Sequence, residues 1–114
     1  VTDLLAKLQV KPGQAIALVG GVPEGADGWP LSEDPERADA VLLYLRSAAE
    51  LAGAMEQLRS IVERGALCWV VYPKAGKLGT DLNRDRIRES LVGLDTVRQV
   101  AVDETWSALR LKPA

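Results

Sequence analysis

The chain has 114 residues, enough for one domain (1–114) with its own core and too few for two. Its 14 basic and 16 acidic side chains leave a net charge of −2, without the basic excess of a duplex-binding surface, so no nucleic-acid partner is expected. With no histidine and one cysteine, the chain by itself excludes Ser-His-Asp and Cys-His catalysis, an internal disulfide and a structural zinc site.

Thr2 is placed to cap a short helix carrying Leu4, Leu5 and Leu8, which Pro12-Gly13 breaks. Residues 15–19, Ala-Ile-Ala-Leu-Val, form a continuous apolar run, the pattern of a buried parallel strand, and Gly20-Gly21 ends it. Residues 22–37 hold Pro23, Gly25, Gly28, Pro30 and Pro35 and read as a loop, with a very short extra strand around residues 29–31. A second buried strand follows at 40–45.

The best-specified helix comes next. Ser47 and Glu50 stand at capping-box spacing, Leu51, Met55, Leu58 and Val62 recur on one face, and Gly65 supplies the stop. Residues 67–72 read as a third buried strand, ended by Pro73. A Lys- and Gly-bearing loop leads to Thr80 or Asn83, either of which can cap a helix with Ile87, Leu91 and Leu94 on its apolar face and Gly93 at its end. Residues 97–102 and 105–111, with Asp103-Glu104 between them, read as a β-hairpin.

This order predicts an α/β fold: a Rossmann-like three-layer sandwich with a mostly parallel sheet and a C-terminal antiparallel hairpin. The purest apolar run, residues 66–72, is too short to cross a bilayer, so no membrane partner is expected. The N-terminus lacks the basic-then-apolar order of a secretory signal. Together with the single cysteine, that predicts a reducing, cytoplasmic setting.

Open parallel sheets bind ligands beyond the carboxyl ends of their strands. That rule points to Gly20 and Gly21, to Arg46 and to Lys74 as the candidate cofactor-binding residues. Glycines after a first strand let backbone approach a phosphate or a carboxylate, although Gly20-Gly21-Val22-Pro23-Glu24-Gly25 is not a dinucleotide fingerprint. Lys74 and Lys77, with Gly76 and Gly79 before a helix start, resemble an anion cradle but not a P-loop, because Leu78 follows Gly76-Lys77. Asp103 and Glu104 are adjacent on a strand and so face opposite ways, which makes a poor catalytic pair. Cys68 and Trp69 lie in an apolar strand and read as core, while Trp29 covers the sheet or marks an interface. Residues 84–89 read as a solvated helix face. No catalytic residue, metal ligand or resident cofactor is assigned.

Two resemblances extend this reading. A last strand slotted between strands 66–72 and 97–102 resembles the sheet of S-adenosylmethionine-dependent methyltransferases, with Lys11-Pro12-Gly13 and residues 16–20 similar to the approach to their first glycine motif. Only residues 21–39 fill the interval where those enzymes carry two more strand–helix units, so the resemblance is to a truncated version. Separately, Ala38 to Ser47, Gly65 to Lys74, Thr80-Asp81-Leu82 and Asp103 to Arg110 resemble, in that order, a family of short bacterial proteins of unknown function, with Val10-Lys11-Pro12-Gly13 and the strand to Gly20 similar to its opening. That resemblance implies a Rossmann-like fold and no activity. The function expected is a non-catalytic Rossmann-like module acting through protein binding or self-association, with a homodimer formed by pairing at an open strand 15–19. The alternative is a small-molecule binder for an adenosyl or anionic ligand, in the manner of a degenerate methyltransferase. An active enzyme is the weakest of the three.

Overall fold

The computed structural model describes residues 2–23, 28–74 and 77–114. Its elements are α1 (Thr2–Lys7), β1 (Ile16–Val19), β2 (Ala40–Tyr44), α2 (Ala48–Glu63), β3 (Leu67–Pro73), α3 (Arg84–Ser90), β4 (Leu94–Ala101) and β5 (Trp106–Pro113). They build one five-stranded sheet in the order β1-β2-β3-β5-β4. The last strand does lie between the third and the fourth.

The mostly parallel Rossmann-like sandwich is not what forms. β1–β2 and β2–β3 are parallel, but β3–β5 and β5–β4 are antiparallel, so the sheet is mixed. The helical layers also fall short. Among the described residues, the β1–β2 connection carries no helix. One face of the sheet is covered by α2 and α3 and the other by the six-residue α1 together with Trp29. The physical reason lies in that connection: its prolines and glycines cannot sustain a helix.

The pleat assigns each strand residue to a face. Ala17, Val41, Leu43, Cys68, Val70, Tyr72, Leu109 and Leu111 pack with Leu51, Leu58, Ile61, Val62 and Ile87 of the two longer helices. Ile16, Ala40, Leu42, Tyr44, Trp69, Val71 and Ala108 pack with Leu8, Val10 and Trp29. β2 is therefore buried at every position, which explains its unbroken apolar sequence. Trp69 is fully buried, and its indole Nε1 donates to the Leu8 carbonyl at 3.1 Å, fixing the end of α1 to the sheet.

The capping expectations are met at α2 and α3, whereas Thr2, expected to cap the first helix, is the first residue within α1. Ser47 Oγ accepts from the Glu50 N–H at 3.2 Å, while Glu50 Oε1 accepts from the Arg46 N–H at 2.9 Å, one residue earlier than the standard box. Gly65, at φ +84°, turns the chain out of α2. Asn83, rather than Thr80, caps α3, its Oδ1 accepting from the Arg86 N–H at 2.9 Å. α3 then ends earlier than the apolar spacing suggested. Leu94 is not on its face but opens β4, after a turn at Gly93 with φ +76°.

Both sheet edges are partly blunted. On β1, the Ile16 N–H donates to the Pro30 carbonyl at 2.9 Å and its own carbonyl accepts from the Ser32 N–H at 2.7 Å, forming an isolated parallel bridge to Leu31. The short extra strand near residues 29–31 is thus a single bridge. On β4, the register slips between Thr96 and Arg98, leaving Val97 as a bulge.

Candidate functional site

The glycines after β1 do make a close approach, but to Tyr44. A Cβ on Gly21 would lie 2.6 Å from Tyr44 Cδ2, and one on Gly20, at φ +85°, would lie 3.1 Å from the Tyr44 carbonyl oxygen. The room that a side chain would need is filled by the end of β2. Arg46 joins them: its Nη2 donates to the Gly20 carbonyl at 2.9 Å. Its guanidinium carbon sits 5.4 Å from the centre of the Trp106 ring, a cation–π contact. Trp106 in turn meets Tyr44 edge-on, with ring centres 4.9 Å apart.

The turn before β5 aims that tryptophan. Asp103 Oδ1 accepts from the Thr105 and Trp106 N–H groups at 2.8 and 2.9 Å, an Asx turn rather than half of a catalytic pair. Loop 80–82 closes over the exit of β2. Thr80 Oγ1 donates to the Arg46 carbonyl at 2.9 Å, and Asp81 Oδ1 accepts from the Ala48 N–H at 2.8 Å. The Tyr44 hydroxyl is buried without a hydrogen-bond partner among the described residues. Burial chiefly, and then Asp103, push that phenol well up, against a smaller opposing effect of Arg46.

Lys74 belongs elsewhere. Its N–H donates to the Thr105 carbonyl at 2.7 Å, and the residue lines a polar cleft of about 320 Å³ on the α3 side of the sheet. Tyr72, Asn83, Arg84, Asp85, Gln99 and Ser107 complete it. Gln99 Nε2 donates to the Tyr72 hydroxyl at 3.0 Å, and Arg84 Nη1 reaches Gln99 Oε1 at 3.4 Å. Burial pushes the Tyr72 phenol up, with Arg84 opposing it, so the hydroxyl is protonated and free to donate. The Asn83 amide nitrogen is also free of the cap, which uses the oxygen.

Of the four residues singled out from sequence, Gly20, Gly21 and Arg46 therefore form one packed contact around Tyr44 and Trp106, and Lys74 stands in a separate cleft. The sequence reading missed Tyr72, Arg84 and Gln99 as its neighbours. The position of Tyr72 two residues before Lys74 was the one local signal available. Cys68 is fully buried and its thiol is pushed up to about 12, so it is no nucleophile near neutral pH. Among the described residues no helix is long and apolar enough to cross a membrane.

Fold and site together define a small mixed α/β domain with a donor-rich cleft at its strand ends. The chain belongs to the family described as a protein of unknown function (DUF3052), whose model matches residues 27–114. That span takes in β2 through β5 and every residue of the Lys74 cleft. No curated protein matches the chain.

Proposed function

We propose that this protein is a non-catalytic binding module that takes a small anionic molecule in the cleft between the end of β3, α3 and β4. The observation that carries this reading is the convergence of Lys74 and Arg84 with the Tyr72 hydroxyl, the Asn83 amide and Ser107 on one cleft of about 320 Å³. Five potential donors face a single carboxylate, Asp85. Carboxylate and phosphate oxygens are the natural complement of such a set. A catalytic role has less support, since no thiol, imidazole or paired carboxylate stands in the cleft.

Self-association by strand pairing at β1 also has less to work with. The bridge to Leu31 occupies the outward groups of Ile16, and in a strand of four residues only Leu18 presents its amide on that same side.

Thermal unfolding with millimolar succinate, inorganic phosphate or adenosine monophosphate, at matched ionic strength, tests the proposal. A rise in Tm that Lys74→Ala and Arg84→Ala each reduce supports it, because a ligand well above its Kd must stabilise the fold that holds it. If none of these anions moves Tm, or if neither substitution reduces the rise, the assignment of this cleft is wrong.

A further inference from the structure

The opposite pole of the sheet carries a second concentration of unpaired cations. A cleft of about 430 Å³ opens at the N-terminal ends of β2 and β3, lined by Gln9, Lys11, Gln14, Asp39, Arg64 and Arg110 among others. Arg110 lies on β5, a strand flanked on both sides, and is half-buried. Its Nη1 donates to Gln9 Oε1. Its Nε is buried and has no partner among the described residues. A buried guanidinium N–H left unpaired is uncommon and calls for a counterpart.

Four further observations point the same way. Directly across the β4–β5 ladder from Arg110 stands Arg98, a like charge on the same face, an arrangement that costs stability unless something neutralises it. None of Lys11, Arg64, Arg98 or Arg110 forms an ion pair among the described residues, where the sole salt bridge joins Arg37 to Asp34. The cleft's one carboxylate, Asp39, is engaged by the backbone, its Oδ2 accepting from the Ala15 N–H at 2.9 Å. Gln9, the Arg110 partner, sits at φ +64°. That is a left-handed conformation rare for a residue with a side chain, and rigid surroundings must hold it.

Arg64 contributes less freely. It donates to the Ala38 and Pro35 carbonyls at 2.8 and 2.6 Å, so it supplies field more than contact. Lys11 is exposed at the rim with its ammonium unpaired.

We infer that this cleft is a second, independent binding site for a small molecule bearing a phosphate or carboxylate group, with Arg110 as its central contact and Lys11 at its rim. Gln9 occupies the guanidinium at Nη1, which leaves Nη2 for the charge-assisted bond that oxyanions favour. The site shares no residue with the Lys74 cleft, so each stands or falls separately.

The test is an NMR titration of the full chain with pyrophosphate and, in a parallel series, citrate, at constant ionic strength. The reporters are the Arg110 Nε–H resonance and the Gly65 amide. The inference requires a saturable shift of both reporters, weakened about threefold by Lys11→Ala, the scale of one exposed charge contact. It also requires that the shift be unchanged by Arg84→Ala at the other pole. Either anion giving that pattern supports the site, and the tighter of the two assigns it to a phosphate- or a carboxylate-bearing ligand. An unmoved Arg110 resonance overturns the inference. So does a titration indifferent to Lys11→Ala, or one that Arg84→Ala reduces.

Discussion

Replacing Gly21 by alanine puts one methyl group where the structure has no room. The new Cβ would stand 2.6, 2.8 and 3.0 Å from Cδ2, Cγ and Cε2 of Tyr44. Carbon atoms in contact need about 3.5 to 4.0 Å, so either the ring or the loop must move by about 1 Å. The ring is held: Tyr44 is buried and meets Trp106 edge-on. The loop must therefore lift, which stretches the bond from Arg46 to the Gly20 carbonyl. Overpacking of this kind costs about 1–3 kcal/mol. The alanine also narrows the unfolded ensemble, which returns about 0.5–1 kcal/mol. The net expectation is a loss of about 1–2 kcal/mol. Gly53, exposed in the middle of α2 with nothing within 4 Å of its would-be Cβ, supplies the matched control. There the same substitution should stabilise by about 0.5–1 kcal/mol through helix propensity alone. Urea unfolding followed by circular dichroism and tryptophan fluorescence measures both. A Gly21→Ala protein as stable as the parent would refute the close packing of the glycine turn on Tyr44.

Three other substitutions and conditions follow from the same geometry. Ser47→Ala removes the acceptor for the Glu50 N–H and should cost about 1 kcal/mol by the same urea assay, with Ser47→Asp restoring most of it. The Cys68 thiol, raised from 9.0 to about 12 by burial, stabilises the fold fully below pH 9, and that contribution falls as pH rises from there toward the folded value. About 1.4 kcal/mol should be gone by pH 10. In Cys68→Ala, whatever its stability near neutrality, the loss of stability between pH 8.5 and 10.5 should be smaller by about 2 kcal/mol, and an unchanged loss would count against burial of the thiol. Tyr44→Phe deletes a buried hydroxyl that has no partner among the described residues, so stability should be unchanged or higher, and a loss above about 1 kcal/mol would show that the hydroxyl is satisfied after all.

What the sequence made legible was local or followed from pattern. The cap at Ser47, the apolar face ending at Val62, the stop at Gly65 and the continuous runs of β2 and β3 each depend on residues a few positions apart. The insertion of the last strand between β3 and β4 was legible too. The fold class was over-read, because apolar runs report burial and not the direction of a neighbour. The Pro- and Gly-bearing segment after β1 was seen as a loop, yet its consequence, a thin layer on one face, was not drawn. The candidate site divided for a related reason. Arg46 and Lys74 both leave the carboxyl ends of strands, but only the structure shows that one turns onto Trp106 and the other lines the cleft beside α3. The contact between Gln9 and Arg110 joins residues 101 positions apart, beyond any spacing rule.

A chain with 16 carboxylates and 14 cations ought to neutralise itself, yet among the described residues one ion pair forms, and it is exposed on both sides. The carboxylates have another use. Asp34, Asp39, Glu50, Asp81, Asp95 and Asp103 all accept from backbone N–H groups in caps, turns and strand entries. These bonds stabilise the loops of a domain with little helix, and they leave Lys11, Lys74, Arg84 and Arg110 without acidic partners. A net charge near zero therefore conceals two cationic clefts at opposite ends of the sheet. This division makes a prediction about salt. Short hydrogen bonds from amide to carboxylate are screened little, whereas the attraction of a free anion to an open cationic cleft is screened strongly. Raising sodium chloride from about 20 to about 300 mM should leave Tm nearly constant and weaken anion binding at both clefts several-fold, which thermal unfolding and NMR titration would read separately. A Tm that falls in step with the affinity would mean that the cations are paired within the fold, and neither cleft would then be the anion site described.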